Sequence, residues 1–211
     1  MKKNKKKNKK KKYNNKPIVF LLIIIIIIVV VLMCYFFFKT DSINITTISK
    51  IDNYDYYLES NATKIYKNNY YELEDILSSD NVDEEKYAKT ICKLFAIDFY
   101  TLTNKLSNQD IGGIQFVSKE VVSDFKRQAT NTTYKYVKNN SSGRRKQQLP
   151  EVSKVEIVNI EKEEYTLNSN KDFDAYKVKM KITYRKDLGW QSDIELILIH
   201  ENNKLAIVEV N

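Results

Sequence analysis

The feature that most constrains this chain is an uninterrupted apolar run at residues 17–38. The 22 residues of the run, PIVFLLIIIIIIVVVLMCYFFF, include no charged side chain. As a helix rising about 1.5 Å per residue, the run would extend about 33 Å, which matches the hydrocarbon core of a bilayer. A buried helix of a soluble domain is the alternative, but such a helix normally has an apolar stripe. We therefore expect a single transmembrane helix at residues 17–38.

The flanks of this run predict an uncleaved signal anchor. A cleaved signal peptide has an apolar region of about 7 to 15 residues that is followed by small residues. Here the run is longer and ends in bulky aromatic residues before Lys39. Ten of the 35 Lys and Arg residues lie within residues 1–16. Because basic flanks remain in the cytoplasm, we expect a single-pass cell-membrane protein with a cytoplasmic N-terminus and residues 39–211 outside.

Residues 1–16 form a low-complexity basic arm that cannot pack a core and is expected to remain solvated. RNA binding or a localisation signal is the alternative to lipid attraction for such an arm. Beyond residue 16 the chain has 25 basic and 27 acidic residues, so we expect a membrane partner and no nucleic-acid partner. The candidates for contact with anionic lipid head groups are Lys9, Lys10, Lys11, Lys12 and Lys16.

The rest of the chain is predicted to divide into a stalk at residues 39–80 and an extracytoplasmic domain at residues 81–211. The stalk segment is rich in Asn, Tyr and Asp and has only a weak helical pattern. Its tyrosines could contact another surface or the lipid interface, but a spacer that packs partly on the domain is favoured. Cys34 lies in the predicted membrane span and Cys92 outside it, so we expect no intramolecular disulfide. With one His and one external Cys, no zinc site is expected, and no cofactor is predicted.

The domain is predicted to begin with a helix capped by Asn81. Glu84 follows three residues later, a spacing that resembles a capping box. At 100° per residue, one arc of this helix is apolar, and its second half is expected to be buried nearly all round. The residues of the arc are Tyr87, Ala88, Ile91, Leu94, Phe95, Phe99 and Leu102.

Asp98 falls within this apolar arc, where a carboxylate needs a partner. Desolvation would favour its protonated form and would make Asp98 a candidate general base. The alternative is a structural hydrogen bond with a backbone N–H or a tyrosine hydroxyl. The structural role is favoured because no second catalytic group is near in the sequence.

The segment after this helix contains two glycines and a second helical pattern. Gly112 and Gly113 predict a turn, because neither their spacing nor a following Lys-Ser/Thr pair fits a phosphate loop. A helix is expected from about Ser118. Arg144, Arg145 and Lys146 could meet phosphate or lipid head groups, but a solvated loop is favoured. The apolar face of the second helix consists of Val121, Val122, Phe125, Ala129 and Tyr136.

After Pro150 the hydrophobic period changes to two, which predicts antiparallel strands. The first strand begins with Val155 and Ile157, and residues 176–184 alternate most clearly between apolar side chains and lysine or threonine. We expect Ile182 to lie opposite Ile194, which places Lys181 opposite Glu195. The final strand is expected at residues 205–210.

His200 precedes the tight turn that leads to this last strand. It is a weak catalytic candidate, because no Ser or Cys nucleophile pattern accompanies it.

Helices followed by antiparallel strands predict an α+β domain with helices packed on a curved antiparallel sheet. This order resembles the nuclear transport factor 2-like (cystatin-like) fold. The basic arm, single membrane helix and external domain resemble the scaffold subunits of type IV secretion and Gram-positive conjugation machines. The stretches FAIDFYTLTNKLSNQDIGGIQFV, TTYKYVKNN and LPEVSKVEI resemble uncharacterised membrane-anchored proteins of low-G+C Firmicutes and their wall-less relatives.

The resemblance implies a non-enzymatic scaffold or adaptor that binds a protein partner or a second copy. The alternative is a small-ligand receptor or an isomerase resembling ketosteroid isomerase, which would use a pocket on the concave face of the sheet. In that alternative Asp98 would be the base, and Tyr100 and Tyr176 would line the same pocket. An open pocket with Asp98 and a tyrosine hydroxyl would favour the alternative, and a filled pocket with Asp98 bonded to backbone would favour the adaptor.

Overall fold

The structure is a computed structural model that describes residues 16–38 and 43–211. Within the first helix, side chains are described only for residues 20–34. The chain divides into two compact units, Met1–Asp41 and Ser42–Asn211, and each is described by itself.

The first unit contains one helix, α1 (Lys16–Phe38), where the apolar run predicted a helix. From Phe20 to Met33 its side chains are large and apolar, with 41% to 66% of each exposed. Over the residues whose side chains are described, no helix is long and apolar enough to cross a membrane. The membrane span therefore stays a prediction. Lys9, Lys10, Lys11 and Lys12 lie outside the described residues, and Lys16 is described only as the first residue of α1.

The second unit is an α+β domain in which helices pack against antiparallel strands, which confirms the predicted class. It contains a hairpin, three helices and a four-stranded antiparallel sheet with strand order β3-β4-β5-β6. In chain order the elements are β1 (Thr47–Ile51), β2 (Tyr56–Glu59), α2 (Lys64–Leu77), α3 (Glu84–Tyr100), α4 (Val122–Asn131), β3 (Val152–Leu167), β4 (Asn170–Tyr184), β5 (Asp193–Glu201) and β6 (Lys204–Val210).

Helix α3 is the centre of this domain and packs against α2, β3 and β4. The predicted apolar arc is confirmed, and most of the helix is buried all round. The predicted cap is wrong by two residues: Asp83, not Asn81, is the N-cap, and its carboxylate accepts a hydrogen bond from the Lys86 N–H at 3.1 Å. Glu84 and Glu85 follow in the first turn, where carboxylates interact favourably with the helix dipole.

The predicted stalk is wrong, because residues from 43 onward belong to the folded domain. Helix α2 begins after Thr63, whose hydroxyl accepts a hydrogen bond from the Tyr66 N–H. Tyr66, Tyr70 and Leu73 of α2 are buried in the same core as α3. The physical reason is that tyrosine buries a large apolar ring while its hydroxyl bonds to protein, as Tyr70 does with the Tyr56 carbonyl. The domain therefore begins near residue 42 rather than at 81.

The predicted second helix is only partly correct. Helix α4 begins at Val122, four residues after Ser118, and ends at Asn131. Tyr136 is wrongly predicted on its apolar face, since it lies beyond the helix and is exposed. Ser118 instead donates its N–H to the carbonyl of Ile207 in β6, an edge strand of the sheet.

The sheet has the predicted faces, but the predicted register is wrong by two residues. Met180, not Ile182, lies opposite Ile194, and Lys179 lies opposite Glu195. A shift of two leaves each side chain on its predicted face, because side chains alternate with period two. The opposite-charge pair is also retained in another form, since Lys179 and Glu195 lie 3.4 Å apart.

Strands β3 and β4 form a long hairpin that is bent by bulges. The β3 register shifts between Ile157 and Asn159 and again between Glu163 and Tyr165. Bulges of this kind bend a strand and increase its twist. At the tip, the Asn168 side chain donates to the Glu120 carboxylate just before α4, at 2.6 Å.

Replacing Tyr70 with alanine is expected to lower the free energy of unfolding by about 3 to 5 kcal/mol, because it empties a fully buried aromatic site. Tyr71→Ala is the matched control, since the neighbouring ring is about half exposed; it is expected to cost less than about 1 kcal/mol. Urea unfolding followed by the fluorescence of Trp190 measures both. Equal, small effects would show that residues 43–80 are not part of the core.

Candidate functional site

Asp98 is bound on both sides by protein groups. Its side chain forms an ion pair with Lys105, whose own side chain is only 5% exposed. The second carboxylate oxygen accepts a hydrogen bond from the Gly113 N–H at 2.7 Å. The expected backbone partner of Asp98 is therefore present, and a lysine that the sequence analysis did not identify provides its charge partner.

The glycine pair brings the loop close enough for these bonds. A Cβ at Gly112 would lie 2.2 Å from the Asp98 carbonyl oxygen and 2.7 Å from the Lys105 Nζ. Gly113 has φ of +75°, a backbone conformation that most side chains disfavour. The two glycines thus allow close packing against α3, in agreement with the interpretation that they are not a phosphate loop.

A small polar cavity of about 90 Å³ lies beside this ion pair. Three acidic residues, Glu59, Asp98 and Asp110, line this cavity together with Lys105. Burial raises the pKa of Glu59, and the nearby charge of Asp98 raises it further. Asn104 also lines the cavity, and no described residue hydrogen-bonds to its buried Oδ1. The cavity has room for a few water molecules or a very small polar ligand.

Of the two tyrosines that line this cavity, Tyr57 and Tyr66, the second has a hydroxyl that is already hydrogen-bonded. Gln115 donates from its Nε2 to the Tyr66 hydroxyl at 2.8 Å and to the Tyr57 carbonyl at 3.1 Å. Burial raises the pKa of Tyr66 well above its ordinary value. The Tyr66 hydroxyl therefore remains protonated near neutral pH and is bonded to Gln115.

The prediction that Asp98, Tyr100 and Tyr176 share one pocket is wrong. Residues two apart on a helix differ in direction by about 200°, so Asp98 and Tyr100 face opposite sides of α3. Tyr100 lines a separate cavity of about 550 Å³ between α4 and β6, and burial raises its pKa to about 12. Tyr176 lines neither cavity and instead donates its hydroxyl proton to Glu84 at 3.0 Å.

His200 lies in a surface cluster that joins β4, β5 and the start of α3. Its Nδ1 is 2.9 Å from Asp172 Oδ2, and its Nε2 is 3.0 Å from Glu84 Oε1. Both nitrogens can donate only when the ring is protonated. Burial alone would lower the pKa of His200, but the hydrogen bonds to Asp172 and Glu84 raise it above 6.5. The two flanking carboxylates favour the protonated ring, and both ring nitrogens are bonded to protein groups.

The carboxylates of this cluster show the complementary shifts. Burial alone would raise the pKa of Glu84, yet the hydrogen bonds from His200 and Tyr176 lower it. The same holds for Asp172, which accepts from the backbone and the ring of His200. Across the described residues, no group of three His, Cys, Asp or Glu side chains could hold a metal ion.

The roles of three residues in these clusters could not be predicted from the sequence pattern. Lys105, Arg145 and Asp172 each bond to partners in other elements. Arg145 was expected in a solvated loop, but its guanidinium donates to the carbonyls of Leu102 and Thr103 and of two further residues. That expectation is wrong for Arg145, because the loop folds back on the segment that follows α3.

Comparison with known proteins adds no relative. No family model matches the chain. No curated protein and no solved structure gives a significant match. Inference about function therefore depends on the residues and their geometry.

Lys105→Met is expected to lower the free energy of unfolding by about 3 kcal/mol, because it leaves the Asp98 carboxylate partly buried without its cation. The double variant D98N/K105M should recover more than half of this loss, since the charge is removed and Asn can still accept from Gly113. Lys154→Met is the control, because Lys154 forms an exposed ion pair with Glu156, and should cost less than about 1 kcal/mol. Urea unfolding of the three variants measures these changes in the free energy of unfolding. An equal loss of stability in K105M and D98N/K105M would contradict the pairing of Asp98 with Lys105.

His200→Asn is expected to destabilise the domain in a pH-dependent way. Because the pKa of His200 is raised by folding, its contribution to the free energy of unfolding is complete below its unfolded-state pKa near 6.5. This contribution is lost as the pH rises through the folded-state pKa. Because folding lowers the pKa values of Glu84 and Asp172, the contribution of these carboxylates to the free energy of unfolding is lost only as the pH falls through their folded-state pKa values. The difference in unfolding free energy between wild type and variant should be largest between roughly pH 4.5 and 6.5. A difference that grows from pH 6 to pH 9 in urea unfolding would refute the charged assignment.

Proposed function

We propose that the chain is a membrane-anchored, non-catalytic binding domain. Helix α1 inserts in the bilayer, the N-terminus stays in the cytoplasm, and Ser42–Asn211 contacts a protein partner or a second copy outside. The domain acts as a scaffold or adaptor by concentrating a binding surface at the membrane.

The observation that carries the proposal is the apolar surface of α1. All fourteen described residues from Phe20 to Met33 expose large apolar side chains. Soluble proteins rarely expose continuous apolar surface of this size. In lipid, such a helix satisfies all its backbone hydrogen bonds internally, which is the requirement for a membrane span. The uncharged run at residues 17–38 has the length that a span needs.

The non-catalytic part of the proposal is supported by the state of Asp98. Both carboxylate oxygens are engaged, one by Lys105 and the other by Gly113. The adjoining cavity of about 90 Å³ is smaller than the roughly 300 Å³ of an ordinary ligand site. The larger cavity beside Tyr100 lacks Asp98. The receptor or isomerase alternative required the carboxylate and a tyrosine hydroxyl in one open pocket.

The binding part of the proposal is supported by the edge strand β3. It is 16 residues long and lies at one end of the strand order. Val158, at a bulge in this strand, is 67% exposed. Edge strands present unpaired N–H and C=O groups to which another strand can add. A partner protein or a second copy could therefore extend the sheet at β3.

We also infer a relationship to the nuclear transport factor 2-like fold. Support comes from the order of elements, in which helices precede a bent antiparallel meander. Membership of a secretion or conjugation apparatus rests on this order together with the basic arm and the apolar run.

In cells that express the full chain, we expect it in the membrane fraction after alkaline carbonate extraction and expect external protease to degrade the domain. The variant I27R/V30R should leave the membrane fraction, because each charge at a helix centre costs about 3 kcal/mol of insertion. The matched control I27L/V30L should remain in the membrane fraction.

A photo-crosslinking residue at position 158 tests binding in the same membranes. We expect a discrete crosslinked product of one partner or of the dimer, absent when the residue is placed at exposed position 71. Full-length protein that stays dissolved without detergent would overturn the anchor. An anchored protein with no product at position 158 would overturn binding at β3.

A further inference from the structure

The loop between α4 and β3 carries an uncompensated positive charge. Residues 132–150 include five basic residues and no acidic residue. Four of the five are exposed, and none of these four forms an ion pair with a described carboxylate. We call these residues the basic loop: Lys135, Lys138, Arg144 and Lys146. Many lysines of the sheet, in contrast, face carboxylates across the strands, as Lys179 faces Glu195.

The basic loop has a fixed shape, because its fifth basic residue holds it to the domain. Arg145 donates to the carbonyls of Lys105 and Lys138 at 2.9 and 3.0 Å. Gln147 accepts from the Lys138 N–H and donates to the Tyr136 carbonyl. The four exposed cations are therefore displayed on an ordered backbone, which reduces the entropy cost of binding.

An exposed aromatic ring lies among these cations. Tyr136 is 74% exposed, and the Lys135 ammonium lies 5.2 Å from the centre of its ring. Tyrosine rings that are apolar with a polar end are enriched where membrane meets water. The combination of cations and one tyrosine matches the chemistry of a phospholipid head-group layer.

The chain enters the domain beside this loop. The Ile43 N–H donates to the Ser141 carbonyl at 2.9 Å, and a Cβ on Gly143 would lie 3.7 Å from the Ile43 side chain. The apolar run ends at Phe38, five residues before Ile43. Five residues of extended chain reach at most about 18 Å. If the run is anchored as proposed above, the entry point and the adjoining loop are confined near the membrane surface.

We propose that the basic loop binds anionic phospholipid head groups of the membrane in which the chain is anchored. Each basic residue near such a surface strengthens binding by about fivefold, so four together strongly favour contact over free rotation. The contact orients the domain with its entry point toward the bilayer. This inference rests on the proposed anchor and adds a fixed orientation to it.

Full-length protein in vesicles tests this contact by hydrogen–deuterium exchange. One vesicle set is pure phosphatidylcholine, and the other contains about 30 mol% phosphatidylglycerol, an anionic lipid whose surface charge attracts basic segments. We expect amides of residues 134–147 to exchange at least fivefold more slowly in the anionic set. In K135Q/K138Q/R144Q/K146Q this protection should be lost, and salt near 0.5 M should weaken it in wild type.

The matched control is K64Q/K119Q/K126Q/K181Q, which removes the same charge from four other exposed lysines. It should keep the protection. Flotation of every variant with its vesicles reports the anchor independently: failure to float would overturn the anchor, whereas flotation without lipid-dependent protection would overturn the loop contact. Equal protection in neutral and anionic vesicles, or protection found only in native membranes with a protein crosslink, would also overturn it.

Discussion

The burial of α3 on nearly every side is the constraint on which the rest of the domain depends. A helix with apolar groups all round needs neighbours on more than one face. The sheet strands β3 and β4 cover one part of it, and α2 covers another. The β1–β2 hairpin joins this core through Tyr56, whose hydroxyl lies 2.6 Å from that of Tyr87 in α3. Residues 43–80 thus contribute buried side chains to one side of the core.

The same burial explains the chemistry around Asp98. A carboxylate inside a buried helix must be paired and hydrogen-bonded, or it costs several kcal/mol. Lys105, Gly112 and Gly113 meet that requirement by returning the loop to the helix. Both carboxylate oxygens of Asp98 are thereby bonded to protein groups, as its predicted structural role requires.

Elements whose own side chains set their position were predictable from the sequence. The face of α3, the alternation of β4 and the last strand follow from local periodicity. Asn202, with φ of 57° in the turn before β6, shows the local chemistry that made that turn recognisable. The register of β4 against β5 was not predictable in this way, because either register gives the same faces and the connection at residues 185–192 decides between them.

The missed features depend on partners far away in the chain. Tyrosines in α2 gave a weak pattern, because the ring is apolar while the hydroxyl counts as polar. Arg145 bonds to residues about 40 positions earlier in the sequence. His200 bonds to Glu84, which lies 116 residues earlier. Charge and residue type alone could not distinguish these buried or paired roles from solvated ones. The separation of Asp98 from Tyr100, in contrast, follows from helix geometry alone.

Lys105 is held at both ends of the residue, and this has a mechanical consequence. Its ammonium is bound by Asp98 in α3, and its carbonyl is bound by Arg145 in the loop before β3. Pulling that loop outward would pull on the backbone of Lys105 and, through its side chain, on the last turn of α3. Force applied at this surface of the domain would thus reach its interior in part through Lys105.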